Sequence, residues 1–416
     1  MKYCKRCLYP ENHPLGIIFD EYGICSGCRI HEEKDMLPWA ERFEKLREIC
    51  DQFKSRDRTI HDCIVPVSGG RDSYFIVHLV KNVLKMTPLL VSYNKHYNTI
   101  TGIRNLAYLR TQLGCDFIQC TVNPEKVKRI TRETIKSKGS IYWHCLAGQT
   151  AFPVQTAVKF KIPLIIWGVH QGIDQVGMFS HTDEVEMTRK YRKEHDLMGL
   201  EARDLLSMDN ELKDDDLMQY FYPHDKELEM IGVRGIYLNN YVRWDSKKQH
   251  EEMIDRYGYE TLCQQRTFDT YNDVDCFHYS GLHDYIKYLK YGYGKVTDHA
   301  CREIRLKRMS REQAIKYVDD YKNNKPKDTS LFLKWLGMDA KKFWRYIDKH
   351  RDQLVWEKIS STVWKKIDDI TNQINKSGTK EAELDLVDKC VFQLNPPREM
   401  ATNKEEYTLL GRGWVD

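Results

Sequence analysis

Residues 64–75, IVPVSGGRDSYF, decide how the rest of the chain is read. Apolar, β-prone residues run from Ile64 to Val67 into Ser68-Gly69-Gly70-Arg71-Asp72-Ser73, and an apolar, helix-like stretch, YFIVHLVKNVL, follows at once. The pattern is a strand, a tight turn and a helix. Two glycines let the backbone turn sharply and approach a ligand closely. The start of the helix offers unpaired N–H groups and the positive end of its dipole. Two serine hydroxyls add donors. Such a junction suits an anion, above all a phosphate. It is not the G-x-x-x-x-G-K-[ST] loop, because no lysine stands at the required place. Asp72 would repel a phosphate unless a cation lay between them, and Mg²⁺ takes carboxylate and phosphate oxygens together.

The same rhythm continues outward. HDCIVPV, TPLLVSYN, CDFIQCTVN and IPLIIWGVHQG read as strands, with helical segments between them. NTITGIRNLAYLRTQLG is a helix ending at Gly114, another starts at Asn123-Pro124 with a cap and a proline at its first position, and AGQTAFPVQTAVKFK reads as helical in spite of Pro153. The alternation predicts an α/β fold with a parallel sheet covered by helices on both faces. Right-handed crossovers put the C-terminal ends of all strands on one edge, where ligands bind. That edge collects the 68–73 loop, SYNKHYNT and WGVHQG. Before the sheet, Trp39, Phe43, Leu46, Ile49 and Phe53 have the spacing of an amphipathic linker helix over 36–59.

Bulk properties narrow the function. The chain has 416 residues, 41% hydrophobic and 30% charged, with a net charge of +4. This is a globular composition with room for a large core. The small net charge speaks against a dedicated nucleic-acid binder. No apolar run approaches the ~18 residues of a membrane span, and MKYCKRCLYP lacks the apolar core of a signal peptide. Thirteen scattered cysteines without an export signal read as reduced thiols in the cytoplasm, some of them on a metal.

Four of those cysteines form a pattern. Cys4-x-x-Cys7 and Cys25-x-x-Cys28 stand 17 residues apart, which matches the C-x₂-C-x₁₅₋₂₀-C-x₂-C spacing of a zinc ribbon. Four thiolates close a tetrahedral Zn²⁺ site of the structural kind, with about two net negative charges. Lys2, Lys5, Arg6 and Arg29 stand nearby in sequence to offset them. A short ribbon cannot build a core alone, so the metal supplies folding energy. GICSG also fits the turn of a glutaminase nucleophile at Cys25. That turn needs a preceding strand, a full sheet and a histidine partner. Only 24 residues precede Cys25, and the chain has no N-terminal cysteine for the other glutaminase type. No glutaminase is expected in this chain.

The second half is less regular. TDEVEMTRKYRKEHDL reads as a charged helix and NELKDDDL as a solvated helix start within a substrate-facing insertion. Tyr237, Tyr241, Arg243 and Trp244 either stack on a sugar or base or fill a core. Cys145, in YWHCLAGQ, either faces the site or is a buried thiol. Residues 276–313 are richer: KYGYGK has turn chemistry, and TDHACREIR starts a helix with Thr297 or Asp298 as its cap. Lys290, Lys295, Arg302 and Arg305 surround that start and make a second anion-binding candidate.

S-G-G-x-D-S after a buried first strand resembles the pyrophosphate loop of the N-type ATP pyrophosphatases, the PP-loop superfamily. Together with the ribbon-like front, IIWG, YLKYGYGKVTD and MSREQA, it resembles the bacterial N-acetyl sugar amidotransferases of lipopolysaccharide and pseudaminic-type pathways, over roughly residues 1–325. Two departures stand out: Lys295 where the family tends to have Arg, and Lys307 where it tends to have Gly.

The resemblance implies a PP-loop domain at 60–200, behind a ribbon at 1–35 and the linker helix at 36–59. It places the insertion and KYGYGK segment at 201–325; beyond it, LFLKWLGMDAKKFWRYIDKH makes 326–416 read as a helical region of unknown duty. It implies that Ser68, Gly69, Gly70, Arg71, Asp72 and Ser73, with Ser92, Gly168, His170 and Asp298, hold ATP, and that Asp72 ligates Mg²⁺. Ser68, Asp72, Lys290 and Lys295 are the implied catalytic residues. The implied reaction adenylates an acetamido oxygen, releases pyrophosphate and then AMP, and leaves an acetamidino sugar. The substrate is a sugar or nucleotide-sugar. Ammonia is expected from a separate glutaminase and channel subunit resembling the imidazole glycerol phosphate synthase pair. The alternative is a PP-loop tRNA thiolation enzyme. That chemistry needs a persulfide cysteine or an iron–sulfur site, yet no C-x-x-C follows Cys28 and Cys115-x₄-Cys120 is a poor substitute. A non-catalytic zinc scaffold would leave the S-G-G-R-D-S loop without a purpose.

Overall fold

The computed structural model describes residues 1–57, 59–208, 212–361 and 363–373. Two helices, α1 (Ser26–Glu33) and α2 (Trp39–Phe53), lead into the sheet. Strands β1 (Cys63–Pro66), β2 (Pro88–Tyr93), β3 (Asp116–Cys120), β4 (Leu164–Trp167) and β5 (Arg234–Tyr237) form one parallel sheet in the order β3-β2-β1-β4-β5. Between them lie α3 (Arg71–Val77), continued by wider π-type turns to Val83, then α4 (Ile100–Leu113), α5 (Pro124–Lys138) and α6 (Trp143–Phe160). The α/β class, four of the strands and these helices are those expected from the sequence.

The inner strands β1, β2 and β4 are nearly continuously apolar because both faces are covered, whereas the edge strand β3 carries the exposed Asp116 and Gln119. Cys63 and Val65 of β1, Leu90 of β2, and Leu164 and Ile166 of β4 pack into one core with α3 and α4 residues such as Tyr74 and Leu109. Ile64, Leu89, Val91 and Ile165 turn to the other face, against Val154 and Ala157 of α6. Side chains alternate across a strand, so each strand feeds both cores.

Local signals set the helix ends. The Thr99 side chain accepts the Gly102 N–H and caps α4, while Gly114 closes it at φ +57°. The Asn123 side chain accepts the Glu125 N–H ahead of Pro124. Pro153 sits inside α6. It has no N–H, so the Gln149 carbonyl loses its helical donor.

The second half differs from the sequence reading at three points. TDEVEMTRKYRKEHDL forms only short helical turns at Arg189–Tyr191 and Arg192–Asp196. β5 was not foreseen. Its four residues include Gly235, which reads as a turn, yet a Cβ there would lie 2.6 Å from Met187 Cβ. The helix expected to be capped by Thr297 or Asp298 instead runs Lys295–Arg305 from Gly294. The Asp284 carboxylate accepts the Lys295 N–H at 2.5 Å and so occupies the helix start.

The described part of 326–416 holds helices Thr329–Leu336 and Ala340–Asp348 and a small hairpin, Trp356–Lys358 with Trp364–Lys366. The remainder of that expected helical region, from 374 on, lies outside the described residues. Among the described residues no helix is long and apolar enough to cross a membrane.

Packing of α6 on β2 is tight at one point. A Cβ on Gly148 would lie 2.3 Å from ring atoms of Tyr93, which is buried. Alanine in place of a helical glycine gains about 1 kcal/mol of propensity, but overpacking a core costs about 1–3 kcal/mol. Gly148→Ala should therefore lower the urea midpoint in chemical denaturation. A raised midpoint would show that α6 can lift off the sheet without penalty.

Candidate active site

The sheet order reverses direction at β1, which has β2 on one side and β4 on the other. Crossovers diverge there and leave a crevice at the C-terminal strand ends. The 68–73 loop occupies it. The loop is pre-folded by its own serines: the Ser68 N–H donates to Ser73 Oγ at 2.9 Å, and the Gly70 N–H donates to Ser68 Oγ at 3.1 Å. Gly69 lies backbone-to-backbone on α4, where a Cβ would come within 2.1 Å of the Gly102 carbonyl oxygen. Gly102 in turn lies on the 275 segment, where a Cβ would come within 2.3 Å of Asp275 Cα.

A cavity of ≈ 550 Å³ opens beside the loop. Ser68, Arg71, Asp72 and Ser73 line it together with Gly168 and Lys95. Asp273, Lys295, Asp298 and Arg302 line it from the second half of the chain. Ser68, Gly69 and Ser92 also line a small adjoining groove with Gln119 and Asp275. Gly70 sits at the turn, facing Ser68 Oγ and the Asp275 carboxylate.

Four cations of the cavity have a close carboxylate partner, whereas Arg305 donates to the Gln175 carbonyl. Lys95 Nζ lies 2.6 Å from Asp275, Lys295 Nζ 3.2 Å from Asp273, Lys287 Nζ 2.6 Å from Asp298, and Arg302 Nη2 2.7 Å from Asp269. Arg71 reaches Asp72 at 3.3 Å and donates to Ser246 Oγ at 3.1 Å. Burial raises the Asp72 carboxyl above its ordinary value, aided by Asp273 and Asp174 and opposed by Arg71. Burial works against the charge of Lys295, but Asp273, Tyr279 and Asp298 outweigh it and hold its ammonium above the usual lysine range. Its Nζ also lies 3.7 Å from the centre of the Tyr279 ring.

Two expected site residues are elsewhere. His170 is turned away from the cavity into an aromatic nest, 4.2 Å from the Tyr191 ring centre and 4.7 Å from that of Tyr237. Burial lowers its pKa to about 4, with His195 adding to the effect. Lys290 does not line the cavity. Its Nζ donates to the Lys138 carbonyl at 2.8 Å, the usual place for a cation at the end of a helix. Asp298 does line the cavity, but as an ion-pair partner inside the helix rather than as its cap. The second anion site is also corrected: Asp284 already fills that helix start.

Cys145 is the buried thiol of the two readings, with Sγ 3.7 Å from the Lys95 carbonyl. Burial pushes its pKa well up. Tyr241 and Trp244 are core residues, although Trp244 also reaches the cavity wall. Sequence reasoning missed Lys95, Asp273, Asp275 and Lys287. The first lies within SYNKHYNT and the next two in NDVDCF, so the signal was present as charge beside a sheet edge.

The four cysteines converge. Their sulfurs lie within 4.8 Å of one another, all buried. The N–H groups of Cys7 and Cys25 donate to Cys4 Sγ at 3.4 and 3.3 Å. This donor set fits a closed tetrahedral cation. The charge compensation differs from expectation. Arg6 pairs with Glu32, and Arg29 with Asp20 and Glu32. The guanidinium against the sulfurs is Arg305, with Nη2 3.5 Å from Cys25 Sγ. The knuckles pack on Val296, Ala300, Cys301 and Ile304 of the Lys295–Arg305 helix.

Comparison with known proteins adds three findings. Residues 265–371 match the family described as LPS biosynthesis protein WbpG-like, C-terminal domain. A stretch of 106 residues is 29% identical to the protein named Uncharacterized protein MJ1599 of Methanocaldococcus jannaschii, and it covers 24% of this chain and 36% of that protein. NMN synthetase from Francisella tularensis is similar at 11% identity over 55% of this chain and 98% of that chain, with a TM-score of 0.27. The matched family segment supplies Asp273, Lys287, Lys295, Asp298 and Arg302 to the cavity. Residues 265–371 are therefore similar to the C-terminal domain of the WbpG-like proteins of LPS biosynthesis, in keeping with the sugar-pathway family that the sequence resembles.

Proposed function

We propose that the chain is an AMP-forming, ATP-dependent amidotransferase that converts the acetamido group of an LPS-type sugar to an acetamidino group. One observation carries this reading: the S-G-G-R-D-S loop and the WbpG-like segment line the same cavity. A phosphate-type loop and a sugar-pathway domain then face one reaction space.

The chemistry follows from the leaving group. An amide oxygen departs poorly. Bound ATP with Mg²⁺ would supply an adenylyl group that lets that oxygen leave as part of AMP. Ser68, Ser73 and the N–H groups at the start of α3 would hold phosphate oxygens, and Asp72 would hold the metal. Lys295 and Arg302 offer positive charge to the same space. The net change replaces the carbonyl oxygen by NH from ammonia, with pyrophosphate and AMP as the other products. The chain's own contribution is alignment and charge placement. Cys25 lies buried among three other sulfurs and does not serve as a glutaminase nucleophile. Ammonia is supplied by a separate glutaminase through a channel-forming subunit. The ion held by the four cysteines is zinc.

Metal analysis of the purified chain should find about one zinc per molecule. Cys25→Ser should lose it and yield insoluble protein. Full zinc and normal solubility in that variant would refute the structural site.

With sugar and ammonia present, the nucleotide product should be AMP with pyrophosphate. Asp72→Ala should lose about 10³-fold of the metal-dependent turnover. Detection of ADP and phosphate would rule out the adenylylation chemistry.

The isolated chain should be inactive with glutamine and active at high ammonium concentration, with the rate rising with pH. Two effects share that sign. Neutral ammonia is the nucleophile, and Asp72 has a raised pKa, so acid protonates it earlier than an ordinary aspartate. The amidino product should be lighter than the substrate by about one mass unit, NH replacing O. Efficient glutamine use by the chain alone would defeat the two-protein scheme, and a product that gained sulfur would favour thiolation.

A further inference from the structure

The ribbon does more than fold around its cysteines. Between Cys7 and Cys25 it sends Tyr9 and His13 into the cavity wall, with Pro14 and Leu15 beside them. There they meet Lys287, Tyr293 and Asp298 of the WbpG-like segment and Gln175 of the turn that follows β4.

The contacts form one cluster. Tyr9 Oη donates to Asp298 Oδ1 at 3.0 Å. Gln175 Nε2 donates to Tyr9 Oη at 3.0 Å and to Asp298 Oδ1 at 3.2 Å. Lys287 Nζ lies 2.6 Å from Asp298 Oδ2 and 4.4 Å from the Tyr293 ring centre. The His13 ring is 5.5 Å from that of Tyr293 at an interplanar angle of 30°, and 4.9 Å from that of Tyr9, edge-on.

Two polar atoms of this cluster have no partner among the described residues: His13 Nε2 and Tyr293 Oη. Both side chains are only 5% exposed. Buried polar groups are normally paired, and each one left over calls for an explanation. A ligand in the cavity supplies it. The hydrogen-bonding character of the two atoms is defined. His13 Nδ1 accepts the Leu15 N–H at 3.2 Å, so the proton of the neutral ring is assigned to Nε2, which is a donor. The Tyr293 hydroxyl donates and accepts. Asp298 accepts, and its charge is matched by Lys287, so this end is not tuned to a bare anion. Two donors, a carboxylate and three rings around one space match a polyhydroxylated ring. Its C–H face lies on aromatic surface, and its hydroxyl and amide oxygens meet the polar atoms.

We propose that this ribbon-built end of the cavity is the acceptor subsite, taking the ring of an acetamido sugar with His13 Nε2 and Tyr293 Oη as hydrogen-bonding partners. The inference rests on the amidotransferase reading above and adds to it where the sugar sits. The ribbon then recognises substrate, and the metal holds the recognising loop in place.

The test uses the full chain with N-acetylglucosamine as the sugar probe and α,β-methylene-ATP as the nucleotide probe. Sugar binding is followed by saturation-transfer NMR at the acetyl methyl group and nucleotide binding by calorimetry. His13→Ala and Tyr293→Phe should each weaken sugar binding by about tenfold or more while the nucleotide Kd stays within about twofold. His13→Gln keeps an N–H donor and should recover part of the loss. Zinc content and circular dichroism should match the parent chain in all three. Unchanged sugar binding in folded variants would overturn the subsite. So would absence of N-acetylglucosamine binding by the parent chain, or loss of the nucleotide in place of the sugar, which would assign this end to the base. The two readings fail separately. ADP as product with intact sugar effects refutes the adenylylation chemistry alone, and AMP formation undiminished in both variants refutes the subsite alone.

Discussion

Three stretches of backbone meet without an intervening side chain at Gly69, Gly102 and Asp275, and the site depends on that contact. The first belongs to the phosphate-type loop, the second to the start of α4, the third to the segment that enters the WbpG-like domain. A methyl group on either glycine would lie 2.1 to 2.3 Å from the opposing backbone. Backbone cannot rotate out of the way as a side chain does, so the approach requires glycine at both positions. The consequence is geometric. The 275 segment is pinned against the end of the sheet, and the cations of the second half are brought to the loop.

The cavity is also neutralised in advance. Lys95, Lys287, Lys295 and Arg302 each face a carboxylate, so most of the charge in this partly desolvated space is paired. An unpaired buried charge costs far more than a pair returns. Pairing therefore lets the empty cavity persist. A polyphosphate with its divalent cation brings both signs and can exchange partners with these pairs. A lone anion would have to displace aspartates from lysines and give nothing back to the aspartates. Burial raises the pKa of Asp72, and Arg71 offsets that only in part.

The parts of this architecture that were legible in sequence are those with short-range causes. The strands of the central sheet are runs of apolar residues, the helices have caps and terminal glycines, and the cysteine knuckles have fixed spacing. The loop residues Ser68, Arg71, Asp72 and Ser73 were found for the same reason. β5 was missed because Gly235 is explained only by Met187, which is distant in sequence. His170 was misplaced because a loop histidine near glycines gives no sign of the Tyr191 and Tyr237 rings that enclose it. Lys290 and Lys295 stand on either side of the same turn, and only the end of α5 at Lys138 decides that one of them turns away. His13 was missed because the Tyr293 ring that lies over it is distant in sequence.

Lys307 and Arg305 show how the ribbon and the site are held in one frame. Lys307 adopts φ +60°, a conformation that favours glycine and costs an ordinary residue about 1 kcal/mol. The departure noted in the sequence is therefore a real backbone constraint. It ends the Lys295–Arg305 helix, and just before that end stands Arg305. Its guanidinium touches Cys25 Sγ and donates to the Gln175 carbonyl at 2.6 Å, next to the Gln175 side chain that binds Tyr9 and Asp298. A Cβ on Gly27 would lie 2.3 Å from that guanidinium and 2.5 Å from the Gln175 carbonyl oxygen. A four-thiolate metal site carries excess negative charge, and Arg305 balances it from the side that faces the cavity. The same guanidinium that lies against the four-cysteine cluster thus also anchors the wall of the cavity.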